Sequence, residues 1–225
     1  KTQISNLHLK SQNFITYGLK NNSDVNPKSF PFKTKLMGEF NKYNILAAAA
    51  AARTLGIKDQ VIKKAIASFQ LPVGRMEVVY NGAFMVIIDF AHTPNALEQV
   101  LSTVKKNTKG RLIHVFGSAG ERDFQKRPEM GRVSGKYADI IILTAEDPRS
   151  ESVDKIIEEI ESGIKKSGVL RVQNRQEAIN TAIKMAKKGD VVLLTGKGHE
   201  QSMNYGRGEE PWSEHEAVKQ ALKKS

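Results

Sequence analysis

Two short stretches set charged side chains beside glycine and proline. One holds Gly117, Ser118, Ala119, Gly120, Glu121, Arg122 and Asp123; the other holds Glu146, Asp147, Pro148 and Arg149. Each follows an apolar run rich in β-branched residues, 112–116 and 140–144. In open α/β sheets ligands bind at the carboxyl ends of strands. Two guanidinium groups and several carboxylates would therefore face one crevice, which suits a ligand of both charges such as an amino acid. A third turn after an apolar run, 195–200, adds Gly196 and Glu200. A fourth, 89–94, places Asp89 and His92 at a strand–helix junction. A single Asp or His there is more often structural; for the pair, the structural and functional readings stand level.

Other chemistries fit less well. Glycine turns after three strands suggest phosphate or dinucleotide binding, yet 117–120 lacks the full G-x-G-x-x-G and 196–198 is not a Walker-type loop. Glycine there can simply let the backbone turn or a ligand approach. The five histidines are dispersed, with no H-x-x-x-H, so no metal site is expected. There is no G-x-S-x-G elbow. Without cysteine there is neither thiolate nor disulfide chemistry.

The elements that must position these turns follow from periodicity. Between the first two apolar runs, a helix starting near Pro128 carries Met130, Val133 and Tyr137 at helical spacing, which makes a βαβ unit. Thr93 and Pro94 start a helix with Leu97, Val100, Leu101 and Val104 on one face. Val153, Ile156, Ile157, Ile160 and Ile164 form another stripe; Asn174 with Glu177 and Ser213 with Glu216 read as capping boxes. Asn81 and Gly82 join 78–80 to 84–88 as a hairpin. From residue 84 the order is β-α-β-α-β-α-β-α-β-loop-α, a Rossmann-like, doubly wound, mostly parallel α/β sheet.

Upstream, 4–9 and 14–17 read as short strands and 21–31 as a turn-rich connection. An alanine-rich helix over about 42–55 ends at Gly56, and Asp59 is expected to cap a second helix. Asn41 and Asn44 lie one turn apart at the first helix's start, as cap and surface amide or as ligand contacts. The segment 71–77 reads as a linker, dividing the chain into 1–72 and 73–225.

Composition bounds the function. The chain has 225 residues, 40% of them hydrophobic, and no apolar run long enough to span a bilayer. No signal-peptide core appears near its start, so a cytoplasmic protein without membrane partners is expected. Beginning at Lys1 rather than Met suggests a piece of a longer chain. The formal charge of +11 raises nucleic acid as a partner. However, residues 1–72 hold 11 Lys/Arg against 3 Asp/Glu, scattered singly, while the rest is nearly balanced. The pairs Lys105–Lys106, Lys165–Lys166 and Lys187–Lys188 sit where helices should end, and the helix dipole favours cations there. No nucleic-acid binding is expected.

Taken in order, Gly38 to Ala48, Gly74 to Glu77, Asp89 to Pro94, Phe116 to Gly131, Glu146 to Arg149 and Gly196 to Glu200 resemble the motifs of the Mur ligases. The closest resemblance is to the type that adds a diamino acid to UDP-N-acetylmuramoyl-L-alanyl-D-glutamate. The resemblance implies a UDP-binding domain, a central ATPase domain and a C-terminal Rossmann-like domain. It makes 1–72 the end of the central domain and 73–225 the C-terminal one. The family's phosphate-binding loop and Mg²⁺ ligands would lie upstream, so this chain alone is expected to be inactive. The implied reaction uses ATP and Mg²⁺ to make an acyl phosphate that the diamino acid's amine attacks. Carried over by motif, Asn41, Asn44, Arg75, Asp89 and His92 would contact the nucleotide. Arg122, Glu146, Asp147, Pro148, Arg149, Gly196 and Glu200 would form the diamino-acid site. Arg149 would clamp the distal carboxylate of meso-diaminopimelate, while Gly196 and Glu200 would receive that end's ammonium. A monomer is implied. Typical diaminopimelate-adding members read Asp-Asn-Pro-Arg where this chain has Glu146 to Arg149, so lysine is the rival substrate. A non-catalytic binding module and a folylpolyglutamate synthetase-like enzyme are the other rivals.

Overall fold

The computed structural model describes residues 14–165 and 168–224. The chain divides into two compact units, with the boundary after Gln70.

In the first unit, helices α1 (Glu39–Thr54) and α2 (Asp59–Ser68) are built around a small core of Val25, Phe30, Leu46, Ala49, Ala50 and Ile62. The alanines keep the α1 surface flat, and the Arg53 guanidinium lies 4.8 Å from the centre of the buried Phe30 ring. Asp59 does not cap α2. It is the first helical residue, and its carboxylate takes two hydrogen bonds from Arg53, at 2.6 and 2.8 Å. The strand expected at 4–9 lies outside the described residues. The one expected at 14–17 contributes only a single bridge, Tyr17 to Val25. Local side chains take the backbone instead: Asp24 accepts from both the Thr16 N–H and its hydroxyl, and Asn26 accepts from the N–H groups of Lys28 and Ser29.

The second unit is the α/β layer structure expected from periodicity. Strand β1 (Glu77–Asn81) pairs antiparallel with β2 (Met85–Ile88). Strands β3 (Leu112–Phe116), β4 (Ile140–Leu143), β5 (Val169–Arg171) and β6 (Val191–Leu194) join β2 in one parallel sheet, in the order β1-β2-β6-β3-β4-β5. All of β3 and β6 is buried, which is why their sequences are continuous rather than alternating apolar runs, broken only by His114, whose ring nitrogens meet the Ser134 and Thr195 hydroxyls. Helices α3 (Pro94–Asn107), α4 (Lys126–Tyr137) and α5 (Val153–Glu161) pack side by side, as do α6 (Arg175–Met185) and α7 (Glu214–Lys224). The α6 and α7 side chains Ala178, Ile179, Ala182, Ala217 and Val218 meet Val86, Ile88, Ile113, Val115, Val192 and Leu194. Burying each larger aliphatic side chain there contributes roughly 1.5–3 kcal/mol.

The helix starts follow local chemistry. The Thr93 hydroxyl accepts from the Ala96 N–H, and the Asn174 and Ser213 side chains accept from Glu177 and Glu216. Helix α4 begins at Lys126, two residues before the proline expected to mark it, so Pro128 lies within the first turn, where no N–H partner is needed. The 202–211 segment, expected as plain loop, forms a small ribbon of β7 (Ser202–Asn204) and β8 (Glu209–Pro211). Because β2, β6, β3 and β4 are parallel neighbours, the turns leaving them lie along one edge of the sheet.

Candidate functional site

A cavity of about 440 Å³ opens at that edge, lined by His92, Arg122, Lys126, Glu146, Asp147, Arg149, Gly196 and Glu200, among others. The turns are cross-braced through backbone and side chain. The Gly120 N–H donates to the Asp147 carbonyl at 2.9 Å, and Arg149 Nη1 donates to the Gly120 carbonyl at 2.6 Å. The Ser150 hydroxyl donates to Glu121, and the Glu121 N–H to Glu151. Glu121, Asp147 and Arg149 all have positive φ, at 55°, 45° and 52°. Three non-glycine residues in the left-handed region cost of order 1 kcal/mol or more each, and they persist because these bonds over-determine the turns.

The β7–β8 ribbon braces the same place. The Asn204 N–H donates to Asp147 Oδ1 at 2.9 Å, and the Arg149 N–H donates to the Asn204 carbonyl at 3.0 Å. On its other side Asp147 Oδ2 accepts from Lys197 Nζ at 2.7 Å, and Lys197 also pairs with Glu200 at 2.8 Å. Lys197 is 1% exposed, so its charge is spent inside the turn network.

Glu146 differs from these neighbours. It is 6% exposed, and its Oε2 is buried without a hydrogen-bond partner. Burial pushes its carboxyl up to about 7, against the pull of Arg175, Lys126 and Lys197. Gly196, at φ +104°, lies directly against this oxygen, where any Cβ would clash with it.

Each residue singled out from sequence has a definite place. Arg122, Glu146, Asp147, Arg149, Gly196 and Glu200 line the cavity together with His92. Pro148 is buried beneath it, and its carbonyl accepts from the Glu151 N–H. Arg122 makes no hydrogen bond or ion pair among the described residues, so its guanidinium is uncommitted. Asp89 is buried; its carboxylate accepts from the Met76 and Ala91 N–H groups at 2.8 and 2.7 Å, and burial raises its pKa. Arg75 is exposed and stacks over the Phe90 ring at 4.4 Å. The His92 Nδ1–H donates to the Phe90 carbonyl at 2.9 Å. In the first unit Asn41 is buried, and its amide donates to the Met37 carbonyl at 2.7 Å. Asn44 is exposed.

Sequence reasoning missed the buried cations that hold these turns. Arg127, fully buried, donates to Glu151, Glu159 and the Ala119 carbonyl, and it draws the Glu151 carboxyl down to about 2. Arg175, fully buried, pairs with the fully buried Glu214 at 2.5 Å and donates to the carbonyls of Ala145 and Thr195, at 3.1 and 2.8 Å. Lys126, only half-buried, donates through Nζ to the His92 carbonyl at 2.8 Å. The available signal was position: each lies at or near the start of a helix that follows a strand.

Similarity to known proteins follows the same residues. The family model described as Mur ligase, glutamate ligase domain, matches 74–198. The UDP-N-acetylmuramoyl-L-alanyl-D-glutamate–2,6-diaminopimelate ligase of Aquifex aeolicus is 47% identical over 87% of this chain and 40% of its own length. That of Clostridium acetobutylicum, ligase 1, is 38% identical over 93% of this chain and 48% of its own length. A solved structure of a ligase of that name superimposes with a TM-score of 0.66 at 32% identity, covering 93% of this chain and 47% of that one. The chain thus spans under half the length of these relatives. With the family model matched over more than half of its residues, from the Gly74 turn through the three strand tips that wall the cavity, the chain belongs to the Mur ligase family.

Proposed function

We propose that this chain is the amino-acid-receiving portion of an ATP-dependent ligase that joins meso-diaminopimelate to UDP-MurNAc-L-Ala-D-Glu in peptidoglycan precursor synthesis. The observation that carries the reading is one cavity in which uncommitted Arg122, clamped Arg149 and the carboxylates of Glu146 and Glu200 come together. A diamino diacid presents two carboxylates and two ammonium groups, and the cavity offers complements to both. Arg122 neutralises one carboxylate and Arg149 pairs with the distal one, while the Gly196 carbonyl and Glu200 receive the distal ammonium. Held this way, the second amine is presented toward the sheet edge, where alignment with an acyl phosphate does most of the catalytic work. ATP supplies that acyl phosphate. Within the second unit, Arg75, Asp89 and His92 would serve the nucleotide. Mg²⁺, which the reaction would use, would be held mainly by the portion of such a ligase that this chain does not cover.

The rival amino acid is lysine, favoured only if Asp147 presents a free negative charge. Its carboxylate is instead neutralised by Lys197 and capped by the Asn204 N–H, which supports diaminopimelate. Titration of both amino acids into the protein, with and without Arg149→Ala, tests this. The variant should weaken diaminopimelate by about tenfold to a hundredfold, the worth of a charge-assisted hydrogen bond, and change lysine little. Tighter lysine binding that survives the substitution would reverse the assignment.

A further inference from the structure

A chain of three polar side chains crosses the apolar layer between the sheet and α4. His114, in the middle of β3, is fully buried. Its Nδ1 lies 2.8 Å from the Ser134 hydroxyl on α4, and its Nε2 lies 3.0 Å from the Thr195 hydroxyl just after β6. Both hydroxyls belong to buried residues, and the Phe116 ring stacks on the imidazole with centroids 4.3 Å apart. A neutral imidazole offers one N–H and one lone pair, so the two hydroxyls satisfy it in either tautomer. Leucine, alanine and valine at the same three places would fill this layer without burying a polar atom. A fully satisfied polar chain in such a place specifies geometry.

The geometry it specifies is that of Thr195, the last residue before Gly196. Thr195 is gripped at three atoms. Its N–H donates to the Val115 carbonyl at 3.0 Å within the sheet, and its carbonyl accepts from Arg175 at 2.8 Å. Its hydroxyl meets His114, which faces away from Ile113 and Val115 and so approaches from the opposite side to α6. The backbone then turns at φ +104°, with Gly196 directly against the Glu146 carboxyl, so rotation of Thr195 about the strand would swing Gly196 across the cavity wall. At its other end the chain rests on α4, whose first residue, Lys126, also lines the cavity.

We propose that His114 is a positioning residue: by bridging Ser134 and Thr195 it holds the Gly196 turn in register with α4, and so keeps the cavity shaped for its amino acid. The consequence for the ligand rests on the diamino-acid reading above, whereas the hold on the turn does not.

The test compares Thr195→Val, which keeps the shape and removes the hydroxyl, with Thr195→Ser, which restores the hydroxyl. The first leaves a buried ring nitrogen without a partner, so the triple variant His114→Leu, Ser134→Ala, Thr195→Val, which removes the whole polar chain, is measured beside it. Amide-exchange protection is followed at position 195 and at Glu200, whose N–H donates to the Lys197 carbonyl within the turn, and at Val191 at the far end of β6. In the triple variant the two turn amides should lose about threefold to tenfold in protection, the worth of one neutral hydrogen bond, while Val191 keeps its own. Binding of meso-diaminopimelate should weaken by about the same factor in the triple variant and in Thr195→Val, and Thr195→Ser should match the parent in both measurements. Equal loss at all three amides, or none at the turn, overturns the positioning role. So does a loosened turn with parental affinity. A parent that binds no diaminopimelate overturns the diamino-acid reading, and the exchange result alone then decides for or against His114.

Discussion

Replacing Arg175 by Met separates what holds the fold from what holds the cavity. The guanidinium is fully buried; it pairs with Glu214, also fully buried, at 2.5 Å, and it donates to the carbonyls of Ala145 and Thr195. Those carbonyls immediately precede Glu146 and Gly196, so one side chain fixes the spacing of the β4 and β6 tips. The substitution strands a carboxylate whose Oε2 already lacks a partner. Breaking a buried pair from one side costs about 3–5 kcal/mol. The two lost carbonyl bonds are not additive with it, so about 4 kcal/mol is expected. With a urea slope of roughly 2 kcal/mol/M, the midpoint should fall by about 2 M. The single tryptophan, Trp212, packs against the α6–α7 core and reports this unit alone.

The double variant Arg175→Met, Glu214→Leu completes the argument. Exchanging a buried pair for apolar side chains is often neutral or stabilising, so the midpoint should return to within about 1 kcal/mol of the parent or exceed it. Binding of diaminopimelate should stay weakened by about tenfold or more, because nothing then clamps the two carbonyls. A single variant costing under about 1 kcal/mol would refute the energetic reasoning. A double variant that regains both stability and affinity would refute the clamp.

Gly196→Ala, at φ +104° against Glu146, should cost about 2–4 kcal/mol and abolish binding, whereas Gly208→Ala, at φ +110° in open space, should cost about 1 kcal/mol and spare it; paired urea and binding curves check both. His114, buried neutral between Ser134 and Thr195, has its pKa driven to about 3 by burial, so its stabilisation is lost as pH falls below the unfolded value near 6.5. Glu146, raised to about 7, gains stability as pH falls from there toward 4.5. The two oppose each other between about 4.5 and 6.5. Unfolding free energy should be nearly flat in that range, and Glu146→Gln should unmask a fall of about 1.4 kcal/mol per pH unit; an equally flat variant would contradict both assignments. Amide exchange should be faster throughout 14–70 than in β3 and β6, since six residues form the buried core of the first unit.

What could be read from the letters was decided by periodicity. Strands buried on both faces appear as runs such as 112–116, and helices between them carry one apolar stripe, so the alternation of the second unit was legible. So were the turns at the strand ends, because Gly117, Gly196 and Pro148 punctuate them. The β7–β8 ribbon was not: β8 is Glu209, Glu210 and Pro211, all exposed, with no pattern to detect. Residues 14–17 read as strand, but Asp24 lies beyond that window and competes for the backbone. The buried cations were illegible for a further reason. Arg127, Arg175 and Lys197 look like surface residues by type, and only their tertiary partners make burial tolerable.

Those partners also explain how a cavity with so many charges keeps its shape. Arg127 with Glu151, Arg175 with Glu214, and Lys197 with Asp147 are paired inside the second unit, and each also ties two strand tips or neighbouring turns together. Arg122 and Glu146 remain, one at the mouth without a partner among the described residues and one at the floor with an unpaired oxygen. Charges that must hold geometry are spent inside, and charges of opposite sign that must meet a ligand are left unspent at separate points. A site assembled in this way discriminates by where a ligand carries its charges, so an amino acid with a second ammonium would be chosen over a diacid of the same length.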